Sequence, residues 1–170
     1  MRQEELEQYI REYGRELYSF CRSMAWNLAE AEDLYQDTFL KFYEIGDGLV
    51  IEKNPKSYLM GIAVNLYRNY KRKLSVRRRI AGVWQSVEEI DEDIPADARL
   101  LEEEILVREE CHAVRGAVKT LADKYRIPVL LFYMEEMSLA EIAAVLKLPE
   151  GTVKSRLHRA KKILKQKLEV

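Results

Sequence analysis

The sequence contains few of the residues that bend or break a chain. Only 7 glycines and 4 prolines occur among 170 residues, whereas an all-β sandwich or barrel needs a turn roughly every ten residues. Neither GxGxxG nor GxxxxGKS/T is present, which excludes the usual Gly-rich nucleotide cradles. The longest purely apolar run, residues 129–134, is far shorter than the ~20 residues that span a bilayer. The composition therefore favours a small helical protein without direct membrane insertion.

Residues that would build a redox, metal or catalytic site are equally scarce. The two cysteines, Cys21 and Cys111, lie 90 positions apart, which fits neither a disulfide framework nor a zinc site. The two histidines, His112 and His158, have no recognisable carboxylate or nucleophile partner in the sequence. Residues 1–5 are charged where a signal peptide would be apolar. We therefore expect a reduced, cytoplasmic protein that is not an enzyme and uses no cofactor or metal.

Charge of one sign is concentrated in three segments, although the formal net charge is only −1. Residues 68–79 contain seven bases and no acid, residues 88–104 contain nine acids and one base, and residues 147–170 contain eight bases and two acids. Two basic segments indicate two places where a polyanion could bind. The acidic segment between them, where helical periodicity fades, is predicted to be a linker.

Apolar residues recur at three- and four-residue spacing through most of the chain, which is typical of amphipathic helices. The predicted fold is all-α, with two small helical modules at residues 1–78 and 101–170, joined by an acidic linker at 79–100. The predicted helices are 6–20, 28–44, 56–73, 99–121, 123–135, 138–146 and 150–168.

Residues 138–164 have the pattern of a helix-turn-helix. Ser138 and Glu141 form a capping box at the start of its first helix, and residues 147–149 supply the turn. One face of the second helix is apolar, and the opposite face carries basic and hydroxyl side chains that suit the major groove of DNA. A C-terminal helix with a solvated basic face is the simpler alternative. The candidate contact residues are Lys154, Ser155, His158, Arg159 and Lys162.

The string EIAAVLKLPEGTVKSRLHRAKKIL, residues 141–164, closely resembles region 4 of bacterial extracytoplasmic-function (ECF) sigma factors. Residues 121–137 resemble the segment that precedes this motif, with Arg126 in its usual place. The resemblance implies that the outward residues of the second helix read the −35 promoter element. It also implies DNA backbone contacts from Thr152 and Arg156. Lys147 departs from the family, because glycine is usual at this turn position.

A second signature lies in the first module, where AEAEDLYQDTFLKFYE, residues 29–44, resembles the region 2 helix that docks on the polymerase clamp. On a helix, the acids of this segment fall within about 60° of one another. Such a face suits a protein better than DNA, but taken alone it is more often simply solvated. We expect Lys41 to pair with Asp37. The implied polymerase-binding residues are Glu30, Asp33, Gln36 and Asp37.

The third predicted helix carries Tyr58, Asn65, Arg68 and Arg72 on the side opposite its core face. An aromatic ring, an amide and guanidinium groups together suit an unstacked base and its phosphates. The helix resembles the family's W-L-x-x-IA-x-N motif, with Asn65 at the Asn and Tyr58 in place of Trp. The resemblance implies that this helix and the loop 46–55 before it open the −10 element and capture a flipped base of the non-template strand.

Two signatures in the family's order identify the chain as a member of the ECF sigma factors. The implied partners are core RNA polymerase, through the clamp of its largest subunit and the flap of its second-largest subunit, promoter DNA, and an anti-sigma factor. The acidic linker would either follow the path of nascent RNA or act as a solubilising tether. One alternative is a stand-alone helix-turn-helix regulator, which leaves residues 29–73 without a role. Another is a helical adaptor whose basic faces bind an acidic protein partner without promoter specificity.

The two promoter elements are too far apart for a relaxed chain to reach both. Centres about 25 base pairs apart are separated by roughly 85 Å, whereas a free linker of about 22 residues spans only ~26 Å as a coil. We therefore expect the isolated chain to be compact, and polymerase to extend the linker when both modules bind.

Overall fold

The structure, a computed structural model, describes residues 1–46, 54–82 and 102–169, and every regular element in these ranges is helical. The predicted all-α, two-module fold is confirmed. No helix within the described residues is long and apolar enough to cross a membrane. The elements are α1 (Gln3–Met24), α2 (Leu28–Ile45), α3 (Pro55–Ala81), α4 (Glu102–Lys119), α5 (Asp123–Val129), a π-helical turn (Leu130–Met134), α6 (Leu139–Leu146) and α7 (Glu150–Leu168).

The first module is a bundle in which α1, α2 and α3 each contact the other two. Phe20, Phe42 and Leu59, one from each helix, are completely buried in the core. Asn54 caps α3, because its Oδ1 accepts the backbone N–H of Ser57 at 3.1 Å. Pro55 follows at the first helical position, where its missing N–H costs nothing.

The third helix is longer than the sequence predicts, because α3 continues past Lys73 to Ala81. Arginine is a good helix former, and cations such as Arg78 and Arg79 are favourable near a helix C-terminus. Gly82 then ends the helix in the left-handed conformation with φ 64°. The basic segment is therefore helical, and α3 crosses the predicted module boundary at residue 78. The predicted linker otherwise lies largely outside the described residues, including its acidic part at 88–97.

The predicted helix 123–135 is interrupted, which corrects the expectation of one regular α-helix. Pro128 has no N–H to donate to the carbonyl of Lys124. After Val129 the chain continues as the π-helical turn, in which the Glu135 N–H donates to the carbonyl of Leu130 at 3.2 Å. This turn ends two residues before Glu136, which adopts φ 55°.

The helix-turn-helix forms as the sequence predicts. Ser138 Oγ accepts the Glu141 N–H at 3.2 Å, and Glu141 Oε2 accepts the Ser138 N–H at 2.8 Å, which completes the capping box. Lys147 ends α6 in the left-handed conformation with φ 54°, which explains why glycine suits this position better. On the inner side of α7, Val153 and Ala160 are completely buried.

The two modules pack on each other and share one hydrophobic core. The core cluster joins residues such as Met60 and Val64 of α3 with Ile142 and Leu146 of α6. Since α3 contacts α6 along this boundary, the described residues form the compact arrangement expected for the isolated chain.

Polar contacts across the module boundary centre on Arg126, whose side chain is only 1% exposed. Its Nη2 donates to the carbonyl of Met24 at 2.9 Å, to Tyr67 Oη at 2.7 Å and to Asp123 Oδ1 at 2.7 Å. The Trp26 ring lies 5.1 Å from its Cζ. Arg126 thus ties the second module to the end of α1 and to α3.

Two further polar contacts cross the same boundary. Glu141 Oε1 accepts from Asn54 Nδ2 at 2.6 Å and from Ser57 Oγ at 3.3 Å, so the capping groups of α3 and α6 meet. Lys56 Nζ lies 3.3 Å from Glu135 Oε2. Burial raises the pKa of this Glu135 carboxyl, and the Lys56 ammonium opposes the rise.

Candidate nucleic-acid interface

The outward face of α7 is open and basic. Its predicted contact residues line one side of an open groove of about 1070 Å³. Arg156 also lines the groove and is half-buried, whereas Thr152 is half-buried but does not line it. The Ser155 hydroxyl donates to the carbonyl of Thr152 at 3.0 Å, which leaves its lone pairs free to accept from a ligand. The exposed members of the predicted set are Lys154, Ser155, His158, Arg159 and Lys162.

The other side of the groove comes from α5, which sequence reasoning missed. Lys124 and Tyr125 line it opposite the α7 residues, and Lys124 Nζ lies 5.0 Å from the centre of the Tyr125 ring. Gln166 lines the groove near the end of α7. Lys124 and Tyr125 are distant from α7 in sequence, and only the packing of α5 on α7 brings them there.

The predicted face of α3 is divided into open and engaged residues. Asn65 and Arg72 are exposed, and Arg72 Nη2 donates to Asn69 Oδ1 at 3.1 Å. Tyr58 is half-buried, with its ring 6.1 Å from that of Phe42. The structure thus keeps these positions on one helix face but does not leave them equally accessible.

Arg68 is engaged by the second module. Its Nη1 donates to the carbonyl of Leu146 at 3.4 Å. Burial lowers the pKa of the Arg68 guanidinium, and the nearby charge of Arg156 lowers it further, while Asp123 opposes the change. Two helical turns earlier, a Cβ added at Gly61 would lie 3.6 Å from Val145 Cγ2, so α6 closely approaches this face.

The acidic face of α2 is open at Asp33, Gln36 and Asp37. Glu30 is half-buried and serves the helix start, because its Oε2 accepts the Trp26 N–H at 3.0 Å. Leu40 is 59% exposed next to the acids. Charged and apolar groups side by side suit a protein partner.

The expected pairing of Lys41 with Asp37 is wrong. Lys41 Nζ instead lies 3.0 Å from Glu44 Oε2. Both spacings bring side chains together on a helix surface. Among the described residues no cation is paired with Asp37, which lies on the same face as Asp33.

Comparison with protein families matches both modules. The Sigma-70 region 2 family model matches residues 9–77, and the Sigma-70 region 4 family model matches residues 111–164. Together the two matches cover well over half of the chain, in the order that the sequence signatures indicate. Neither a stand-alone regulator nor an adaptor accounts for the region 2 match.

Relatives match along nearly the full length. The ECF RNA polymerase sigma factor SigW of Bacillus subtilis is 32% identical over 160 residues, which cover 92% of this chain and 84% of SigW. The RNA polymerase sigma-E factor of Streptomyces avermitilis is 30% identical over 169 residues, which cover 97% of this chain and 86% of that protein.

A solved structure of similar shape is that of the sigma factor RpoE in complex with the anti-sigma factor NepR from Bartonella quintana. It aligns with a TM-score of 0.80 and 25% identity over 98% of each chain. The chain therefore belongs to the ECF family of RNA polymerase sigma factors, the non-catalytic subunits that bind core RNA polymerase and promoter DNA and direct transcription initiation.

Proposed function

We propose that this sigma factor reads the −35 element with the exposed face of α7. The observation that carries the proposal is the open groove lined by Lys154, His158 and Arg159 on one helix. Lysine and arginine can donate to guanine edges in the major groove, and Ser155 can hold a phosphate once its hydroxyl turns away from the Thr152 carbonyl. Arg156, which lines the groove, and Thr152, which precedes it on α7, are assigned to contacts with the DNA backbone.

Lys124 and Tyr125 extend this interface to the phosphate backbone. They belong to α5, and they face the α7 side chains across the groove. A lysine ammonium next to a tyrosine hydroxyl suits a phosphate, which fixes the register of a recognition helix without reading sequence. We therefore assign Lys124 and Tyr125 to DNA positioning, and Arg159 and its neighbours to base recognition.

We assign recognition of the −10 element to α3 and the loop before it. Asn65 is exposed and offers both a donor and an acceptor to an unstacked base, while Arg68 and Arg72 lie one and two turns further along for the phosphates. Tyr58 supplies a ring on the same face. Loop residues 47–53, which complete this proposed site, lie outside the described residues.

We assign the binding of core polymerase to two surfaces of the protein. Asp33, Gln36 and Asp37 of α2 form an exposed acidic face for the clamp of the largest subunit, and the module 101–170 would contact the flap of the second-largest subunit. The module 1–78 would bind both the −10 element and the clamp, and the segment 79–100 would connect the two modules.

We place the protein in the cytoplasm, because its relatives are subunits of RNA polymerase.

An anti-sigma factor is proposed as a further partner. The support is the similarity to RpoE, which was solved in complex with the anti-sigma factor NepR.

The direct test is multi-round transcription with purified core polymerase and sheared host DNA, with mapping of RNA 5′ ends. The wild-type protein should create new start sites that share two upstream elements. Arg159→Ala should reduce use of these starts by about 5- to 100-fold, since a base contact contributes about 1–3 kcal/mol. Lys161→Ala is the matched control, because Lys161 is exposed on α7 but does not line the groove. No new starts, in a reaction where another sigma factor works, would contradict the proposal.

A further inference from the structure

We infer that Tyr9 and Phe42 are positioning residues for Tyr58, so that rings of α1 and α2 control how well α3 captures the −10 base. The inference rests on the proposed role of Tyr58 in the −10 site. It concerns residues outside the predicted DNA face, because Tyr9 belongs to α1 and Phe42 to α2. With Tyr13 at the outer end, these side chains form a ring series in the order Tyr13, Tyr9, Phe42 and Tyr58.

The ring series is continuous from one helix to the next. The rings of Tyr13 and Tyr9 are stacked on α1, with centres 6.3 Å apart. The Tyr9 ring meets Phe42 edge-to-face, at 5.1 Å and 83°. The Phe42 ring in turn lies 6.1 Å from Tyr58, tilted by 57°. Aromatic pairs attract each other at centre distances of about 4.5–7 Å, so each ring restrains the next.

Phe42 is the link between the surface of α1 and the DNA face of α3. It is completely buried, and side chains in a closely packed core occupy defined rotamers. Its edge-to-face contact with Tyr9 therefore fixes the orientation of the Phe42 ring as well as its position. An aliphatic side chain in place of Tyr9 would remove this contact and give Phe42 room to turn, which changes the support for Tyr58.

Tyr58 is the member of the series that can meet an unstacked base. It is half-buried, and its one aromatic contact among the described residues is with Phe42. The exposed Asn65 lies two helical turns further along the same face. A mobile ring must lose its rotamer freedom when a base stacks on it, and this loss weakens binding. Phe42 holds the ring in advance from the core side.

The contact between Phe42 and Tyr58 also joins the two helices on either side of the proposed −10 loop. Phe42 lies one turn before the end of α2 at Ile45, and Tyr58 lies in the first turn of α3, which begins at Pro55. The ring pair therefore fixes the separation of these two helix ends at the place where the base is proposed to bind.

A second series of rings in the same bundle provides an internal control. Tyr18 of α1 meets Tyr35 of α2 edge-to-face at 5.5 Å and 88°, and Tyr35 meets Phe39 at 5.2 Å and 81°. This series ends on α2, and among the described residues no ring contact continues it to α3. Tyr18 and Tyr9 thus make the same kind of contact between α1 and α2, but only Tyr9 is linked through rings to Tyr58.

The test compares Tyr9→Leu with Tyr18→Leu in complexes of the full chain with core polymerase, on a promoter identified by mapping of RNA 5′ ends. Permanganate, which oxidises unpaired thymines, reports opening of the −10 element. Tyr9→Leu should reduce this reactivity by about 2- to 10-fold, the factor expected for ordering one mobile side chain. The −35 footprint and the affinity for core polymerase should not change. Tyr18→Leu should open the promoter as wild type does, and Tyr9→Phe, which keeps the ring, should restore opening.

A double-mutant cycle separates positioning from general destabilisation. In a Tyr58→Ala background, Tyr9→Leu should cause no further loss of opening, because its effect on the base passes through the Tyr58 ring. Urea denaturation shows whether each variant is folded. If Tyr9→Leu does not fold, Tyr9→Met is measured in its place, because the flexible methionine side chain fills irregular gaps.

Three results would overturn the inference: normal opening by Tyr9→Leu, an equal loss in Tyr18→Leu, or a further loss from Tyr9→Leu in the Tyr58→Ala background. Failure of Tyr9→Phe to restore opening would do the same. If Tyr58→Ala alone opens the promoter normally, the proposed role of Tyr58 in the −10 site fails instead.

Discussion

The recognition helix α7 and the helix α3 carry similar chemistry in different settings. The α7 residues lie in an open groove, whereas Arg68 and Gly61 of α3 lie against the other module. Both helices have a basic or polar outer face and a buried inner one. The difference teaches that side chains of similar chemistry are open on one helix of this protein and covered by the neighbouring module on another.

The largest effect is expected on a third surface, the exposed acidic face of α2. Asp33→Lys combined with Asp37→Lys should weaken binding to core polymerase by about 100-fold, because juxtaposed like charges cost several kcal/mol. The measurement is a competition binding assay at fixed salt. Glu32→Lys, on another side of α2, makes the same charge change as Asp33→Lys alone and should have little effect, whereas Asp33→Lys alone should weaken binding. Equal losses from both variants would show that net charge, not this face, sets the affinity.

The boundary between the modules should be sensitive to one hydroxyl group. Tyr67→Phe removes the oxygen that accepts from Arg126 at 2.7 Å and should lower the free energy of unfolding by about 1–3 kcal/mol, because a buried charged donor loses a partner. Urea denaturation measures the change. Tyr70→Phe, one turn along α3 and 48% exposed, is the control and should be neutral. A neutral Tyr67→Phe would mean that the Arg126 contacts do not hold the modules together.

Variants on the two sides of the α7 groove should differ in how their DNA binding depends on salt concentration. Lys124→Ala should weaken duplex binding by a few fold for every sequence, and the slope of log K against log salt should become less steep by about 0.9. Arg159→Ala should instead reduce discrimination between sequences. Binding isotherms at several salt concentrations distinguish the two. If Lys124→Ala lowered the affinity for some DNA sequences much more than for others, Lys124 would contribute to base recognition and not to positioning.

The smallest effect concerns the turn of the helix-turn-helix. Lys147→Gly should raise the free energy of unfolding by about 0.5–1 kcal/mol, since a left-handed lysine is strained and glycine is not. Ala144→Gly, inside α6, should have the opposite sign, with a loss of about 1 kcal/mol. Thermal or urea unfolding of both variants gives the comparison. A loss of stability in Lys147→Gly would contradict the proposed strain.

Local patterns in the sequence predicted most of the fold. The capping box of α6, the bounds of α7 and the outward residues of its recognition face follow from neighbours within a few positions. The end of α3 was missed because the arginines before Gly82 read equally well as a charged linker and as a helix. The π-helical turn after Pro128 and the pairing of Lys41 with Glu44 depend on a choice between near-equal local geometries.

Contacts between distant segments could not be read from the sequence. Nothing in local spacing places Lys124 opposite Arg159, or Val145 against Gly61. Arg126 stands in a familiar motif, but its partners Met24 and Tyr67 belong to the other module. The groove arises from packing within the second module, and the contacts of Val145 and Arg126 arise from how the two modules pack on each other.

The division of work between α7 and α3 is the central claim, and permanganate reactivity of promoter thymines tests it most directly. In complexes with core polymerase, wild type should expose reactive thymines at the −10 element. Asn65→Ala should keep the −35 footprint but lose most of this reactivity, whereas Arg159→Ala should lose the −35 footprint. Normal opening by Asn65→Ala, or an intact −35 footprint with Arg159→Ala, would contradict the assignment of these two helices.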